Sequence, residues 1–287
     1  MKTYNVKKDI LTIRKIFGLN QTQFANEIGL SRSNIARYES DAIFPHDSAL
    51  EKIYGYPYKN KFYLNKAKEM LFIDNKKDNL LLFHGAKYEI KGEIDHLHLN
   101  GNKDFGAGFY LGDSFDSAAS WVCEYRSGSV YSFYLKNHKE LKCKQFKVDR
   151  EWMYAILYFR GMFKDYIPNE EVLEIIKQVE EADYIVAPIA DNQMYDTLTS
   201  FGLRQITDEQ CLHALSANNL GYQFVIKTKK AIDNLTLIER MYISEKEKED
   251  YLDNKIILSN QGRNKASLSI EEYRRKGQYI DEIFKKC

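Results

Sequence analysis

The hydrophobic period of this chain changes once, near Asp78, and no single regular architecture satisfies both sides of the change. Upstream, apolar residues recur at helical spacing: Ile10, Ile13 and Phe17 share one face and Gly18 closes the stretch. Downstream they gather into short runs, such as Leu80 to Phe83 before His84-Gly85 and Tyr184 to Ala187 before Pro188, which read as buried strands. At 287 residues the chain is long enough for two domains. The expected class is therefore α+β: an all-α domain with its linker over 1–75, a mixed domain over 76–238 and a charged, mainly helical extension over 239–287.

Composition removes several alternatives. With 44% hydrophobic and 29% charged residues the chain has the apolar content of a packed protein, and disorder is excluded as its general state. A net charge of +1 gives no global field toward nucleic acid or membrane, so any such binding must be local. The start has no apolar leader, and the apolar runs are far shorter than the ~20 residues of a membrane span, which predicts a cytoplasmic protein without a membrane partner. Cys123, Cys143, Cys211 and Cys287 form no CxxC pair and have no His partners at zinc spacing, so they read as cytosolic thiols.

Before the change of period, Gln21 to Ile28 places Phe24, Ala25 and Ile28 on one side, Gly29 permits a sharp turn, and Ser31 stands as the N-cap of a helix through Tyr38. Small Ala25, Gly29 and β-branched Ile35 suit two helices that cross closely. The segment GLNQTQFANEIGLSRSNIARYESDAIFP, Gly18 to Pro45, resembles the helix-turn-helix of phage-repressor-like regulators. The resemblance implies that Arg32, Ser33, Asn34 and Arg37 face bases or phosphates of DNA, with Gln21 holding a phosphate and Tyr38 and Glu39 packing. Residues 1–50 carry seven basic and five acidic side chains, a weak electrostatic footprint, so a hairpin that docks a protein partner is the competing reading. Lys66 and Lys68 lie in a final helix, KFYLNKAKEMLF, before the polar linker IDNKKDN.

In the mixed region, glycines 106 and 108 precede an aromatic strand and would let backbone approach something closely. Helices are expected over Ser117 to Tyr125, Glu151 to Arg160, Asn169 to Glu180, from Asn192, and after a capping sequence at Thr207. Further strands are expected at Val130 to Leu135, near Phe146 to Val148, and over Gly221 to Thr228. Trp121 and Trp152 read as core. Asp95-His96-Leu97-His98 sets two imidazoles on one strand face, but no third ligand accompanies them, and no metal site is expected. Asp191-Asn192 reads as a helix cap.

Three separated pieces resemble the ADP-ribosyltransferase superfamily, in particular the clade with a triad of His, Tyr and Glu, Asp or Gln. They are LLLFHGA, DFGAGFYLGDSFDSAASW and YQFVIKT, and the intervening ADYIVAPIADNQMYDTL is similar to a bacterial subfamily of that type. The resemblance spans about Asn79 to Leu237 and implies a split β-sandwich that binds NAD as a substrate. It implies that His84 bonds a ribose hydroxyl, that the Gly85 backbone meets the nicotinamide carboxamide, and that Tyr110 stacks on the nicotinamide ring. Gln223 would orient the ribose hydroxyl, and Gly108 and Ser117 would complete the NAD contacts. The activity implied is mono-ADP-ribosyl transfer to a macromolecular acceptor, or to water, in a toxin or phage-defence effector; a homodimer is compatible with it. An amide at 223 lacks the full charge of a carboxylate. Asp104 and Asp113 are candidates for a substitute charge, although turn-capping is the commoner job of such residues, and a transcription regulator whose second domain senses NAD or ADP-ribose without catalysis is the alternative.

Overall fold

The computed structural model of the protein describes residues 4–95, 103–189, 192–216 and 221–287. Five helices come first: α1 (Val6–Phe17), α2 (Gln21–Ile28), α3 (Arg32–Glu39), α4 (Asp47–Lys59) and α5 (Leu64–Asn75). Then follow β1 (Leu80–Ala86), β2 (Phe109–Gly112), α6 (Phe115–Val122), β3 (Ser129–Leu135), β4 (Cys143–Gln145), α7 (Arg150–Phe159) and α8 (Glu170–Glu181). The chain ends with β5 (Tyr184–Pro188), α9 (Asn192–Gly202), α10 (Asp208–Ser216), β6 (Tyr222–Ile226), α11 (Lys229–Asp233), β7 (Leu235–Tyr242), α12 (Glu245–Glu272) and α13 (Ile280–Ile283). The protein is mixed α+β with an all-helical start. The His96 and His98 imidazoles and Asp191 lie outside the described residues.

Two compact units share the chain, and each draws on three segments: one takes 1–92, 114–134 and 236–254, the other 93–113, 135–235 and 255–287. In the first unit, Ile10, Ile13, Phe24, Ala25, Ile35 and Leu50 form the core of the helical head. Strands lie in the order β1-β3-β7, and α6 packs Phe115, Ala118, Ala119 and Val122 against Phe83, Val130 and Met241. Trp121 corrects the sequence reading. It is 59% exposed, because it falls outside the arc of α6 that those four residues bury, whereas Trp152 is fully buried.

A buried ionic cluster ties the head of this unit to β7. The Lys68 ammonium of α5 donates to Asp9 Oδ2 of α1 at 2.7 Å and to the Glu239 carboxylate of β7, and the Tyr54 hydroxyl of α4 donates to Asp9 Oδ2 at 2.6 Å. Burial opposes the charge on Lys68, but Asp9 and Glu239 outweigh it and raise the ammonium above its ordinary range. Burial likewise holds the Glu239 carboxyl above the ordinary carboxylate range, with Lys68 opposing. Residues 239–287, read from their charge as a solvated appendage, are therefore anchored at several points. Glu239 and Arg240 are buried within β7, and Ile280 and Phe284 belong to the core of the second unit.

That second unit has strands in the order β4-β5-β6-β2, with β4 parallel to β5, and β6 antiparallel to both β5 and β2. The register opposes Tyr110 to Val225 and Gly112 to Gln223. Since side chains alternate along a strand, Tyr110, Val225 and Gln223 share one face of the β2–β6 pair. α7 supplies Trp152, Met153 and Ile156 to the core, and α8 supplies Val172, Ile175 and Val179.

Candidate functional site

The segment 104–108 and the β2–β6 face are tied together by the polar groups of Tyr110, Lys227, Asp104, Arg160 and Gln223. The Tyr110 hydroxyl accepts from the Phe105 amide at 3.1 Å and donates to the Gly106 carbonyl at 2.8 Å. Lys227, just beyond β6, donates to the carbonyls of Phe105 at 2.6 Å and Ala107 at 2.8 Å. Asp104, 6% exposed, accepts through Oδ1 from Arg160 Nε at 2.7 Å and through Oδ2 from Gln223 Nε2 at 2.8 Å. Gln223, itself 8% exposed, also donates to the Pro188 carbonyl at 3.0 Å. The Arg160 guanidinium in turn lies 4.7 Å from the Tyr195 ring centroid.

Electrostatics follow from this enclosure. Burial pushes the Tyr110 phenol well above its ordinary range, so it stays protonated as a donor at neutral pH. Burial holds the Lys227 ammonium below the ordinary lysine range. The hydroxyl of Tyr110 is committed to the 105–106 backbone, and its half-buried ring packs against the core of the second unit, with the Lys103 ammonium 5.7 Å from the ring centroid.

Sequence reasoning placed Gly108 where backbone approaches closely, and the partner is β6. A Cβ at Gly108 would stand 2.5 Å from Val225 Cγ1 and 3.1 Å from the Ile226 carbonyl oxygen. Gly108→Ala is expected to lower stability by about 1–3 kcal/mol, because a strand already in register must shift to admit a methyl group. Chemical denaturation measures this, and an unchanged midpoint would contradict the packing. In the first unit, Gly85 at the end of β1 answers the same kind of need: its Cβ would meet the Ala118 carbonyl oxygen of α6 at 2.5 Å. His84 is half-buried on β1, and Ser117 is half-buried on α6, with its amide donating to the Ser114 N-cap at 3.2 Å. The first unit thus holds His84, Gly85 and Ser117, and the second holds Gly108, Tyr110 and Gln223.

Three residues of this region escaped the sequence reading as functional: Arg160, Pro188 and Lys227. The only signal for Arg160 was its place at the end of a predicted helix. Its partner Asp104 lies 56 residues away, a separation at which spacing is silent.

In the helical head, local chemistry explains the geometry. Asn20 accepts from the Gln23 amide and Gln23 Oε1 accepts from the Asn20 amide, both at 2.9 Å, closing a capping box on α2. Gly29 then turns in the left-handed region at φ 63°, and Ser31 caps α3 by accepting from the Asn34 amide. On α3, Arg32, Ser33 and Arg37 are exposed and Asn34 is half-buried. Ser33 Oγ lies 2.9 Å from Ser31 Oγ. The Gln21 amide donates to Glu39 at 2.7 Å, and Glu39 also pairs with Arg14. Gln21 therefore has a protein partner where a phosphate contact was expected. Tyr38 is buried.

These features define a mixed α+β protein whose first unit carries a helix, tight turn, helix head and whose second unit holds an enclosed polar network beside an aromatic strand. Residues 80–237 match the family described as "Protein of unknown function (DUF3990)", and the chain belongs to that family. No curated protein and no solved structure matches it.

Proposed function

We propose that the chain is an NAD-dependent mono-ADP-ribosyltransferase with a DNA-binding head and a core of the split β-sandwich type. The observation that carries this reading is the ordered set of His84, Tyr110 and Gln223 in motifs resembling that superfamily, together with the register that sets Tyr110 and Gln223 on one face of β2–β6. In the reaction proposed, the bond between the ribose anomeric carbon and the nicotinamide nitrogen breaks, and its electron pair leaves with nicotinamide. A nucleophilic atom of the acceptor bonds to that carbon and gives up its proton to solvent or a base. His84 positions a ribose hydroxyl, the Gly85 backbone meets the carboxamide, and the Tyr110 ring covers the pyridinium. Gln223 favours the oxocarbenium-like transition state through a ribose hydroxyl. The test is incubation with NAD labelled in its ADP-ribose part. Labelled macromolecule in the wild type and loss of label in His84→Ala support the reading; equal labelling in both overturns it. Saturable NAD binding without nicotinamide release would instead identify a sensor, the reading that an amide at 223 favours.

The head supports a separate expectation. Arg32 and Arg37 are exposed on α3, and among the described residues neither has an ion-pair partner, so both are available to phosphates or base edges. Arg32→Ala and Arg37→Ala should each weaken DNA binding and lower the slope of log affinity against log salt by about 1. Electrophoretic shift assays across a salt series measure it. Absence of DNA binding by the wild type even at low salt would leave the head as a docking hairpin.

A further inference from the structure

We infer that Gln223 serves the bound sugar only as a hydrogen-bond acceptor, through Oε1, because Asp104 and the Pro188 carbonyl hold both hydrogens of its amide. Arg160 and Asp104 are the positioning residues that set this orientation. The inference rests on the dinucleotide reading above and says what the amide does there in place of a carboxylate.

A carboxamide has one end that only donates and one that only accepts. The two protein groups against Gln223 are the Asp104 carboxylate at 2.8 Å and the Pro188 carbonyl at 3.0 Å, and both are acceptors. The reversed amide would set oxygen against two oxygens in a buried position and leave them without donors, an arrangement costing several kcal/mol on the scale of about 1–3 kcal/mol per orphaned buried group. The nitrogen therefore faces inward. Among the described residues no group donates to Oε1, and Oε1 is not among the buried side-chain atoms left there without a partner, which are Asn65 Oδ1 and Trp152 Nε1. Oε1 is therefore the end of the amide that the inference sets against an incoming donor.

Arg160 fixes the other end. It occupies Asp104 Oδ1 from Nε and from the terminal guanidinium nitrogen, so Oδ2 is left for Gln223. The chain guanidinium, carboxylate, amide polarises each bond in the same sense and adds negative character to Oε1. A ribose hydroxyl that must donate its proton finds there what a carboxylate oxygen offers. The full charge sits one residue further in, on Asp104.

An exchange of the two side chains tests this. In Asp104→Asn, the single oxygen of the new amide stays on Arg160, so its nitrogen faces Gln223 and the Gln223 amide must turn over, presenting a donor outward. In Gln223→Glu, a carboxylate is set against the Asp104 carboxylate. Each single variant should lose about 10- to 100-fold in kcat/KM for nicotinamide release. The double variant restores a donor facing an acceptor with the same total charge, so it should recover at least about 10-fold over either single. Recovery stays incomplete because the Pro188 carbonyl then meets an oxygen. A merely structural role for Asp104 would give additive losses.

The orientation itself is read without NAD. In protein labelled with 15N-glutamine, the side-chain signal of Gln223, assigned by its loss in Gln223→Glu, should exchange its hydrogens slowly. That exchange should accelerate at least about 10-fold in Asp104→Asn. A slow signal, two impaired singles and a recovered double support the inference. A fast Gln223 signal in the wild type, or additive losses, overturns it while leaving the dinucleotide reading standing. A slow signal in a protein that neither binds nor cleaves NAD overturns the dinucleotide reading, and the inferred role falls with it.

Discussion

Lys68→Met is expected to destabilise the first unit by about 3–5 kcal/mol, the cost typical of leaving a buried ion pair with one partner missing. Lys68 is 8% exposed, and the carboxylates it faces, Asp9 and Glu239, are 1% and 7% exposed. In the variant both carboxylates remain inside the protein, with the Tyr54 hydroxyl as the donor left on Asp9. Glu239, already held above the ordinary carboxylate range by burial, then loses the Lys68 charge that opposes that rise. A carboxyl with a raised folded pKa contributes stability that is complete below the unfolded value and is lost as pH rises through the folded one. The deficit should therefore be largest at neutral and alkaline pH and should shrink as the pH falls toward the ordinary carboxylate range. Chemical denaturation at several pH values measures it. Adding Asp9→Asn and Glu239→Gln to Lys68→Met should return most of the loss. The exposed pair Lys7–Asp41, with side chains 46% and 67% exposed, is the control, and Lys7→Ala should cost no more than about 1 kcal/mol. Equal, small losses in Lys68→Met and Lys7→Ala would mean that the cluster does not join the head to β7.

The second large effect is expected in turnover. His84→Ala should lower kcat/KM for nicotinamide release by about 10²–10³, the usual consequence of removing one preorganised donor from a reacting centre. Tyr110 divides its work between two parts of one side chain. Its hydroxyl is engaged with the 105–106 backbone, and its ring is the part that the proposed function sets against the ligand. Tyr110→Phe should therefore retain activity within about 10-fold and show its loss mainly in stability, at about 1–3 kcal/mol for the two bonds removed. Tyr110→Ala removes the stacking surface and should lose at least about 100-fold. Chromatographic assay of nicotinamide, with a thermal melt of each variant, separates the two effects. A Tyr110→Phe variant as inactive as Tyr110→Ala would assign the hydroxyl, not the ring, to the ligand.

How much of this was legible in sequence depended on how local each determinant is. Each cap of α2 and α3 is written within a few residues of the groups it binds, and Gly29 and Ser31 behave as their residue types suggest. Strands β1, β2 and β6 announce themselves as apolar runs near glycine, histidine or a turn. α4 was missed because Gly55, Pro57 and three tyrosines obscure its period, although Ala49, Leu50, Ile53 and Tyr54 line its buried side. β4 was placed three residues late, since its side chains are exposed or half-buried and carry no apolar alternation. β7 was hidden by Glu239 and Arg240, whose charges suggest solvent. Their partners Lys68 and Ser129 lie 171 and 111 residues earlier, beyond the reach of any local pattern. The same holds at the candidate site. Gln223 was legible as a member of a strand, but its engagement with Asp104 spans 119 residues and needs the folded chain to be seen.

A crystal structure of the full chain with NAD tests whether these residues meet one dinucleotide. The expected result is one dinucleotide with its nicotinamide against the Tyr110 ring, a ribose hydroxyl within hydrogen-bond distance of His84, and another donating to Gln223 Oε1. NAD bound away from Tyr110 and Gln223, or no NAD at saturating concentration, would contradict it.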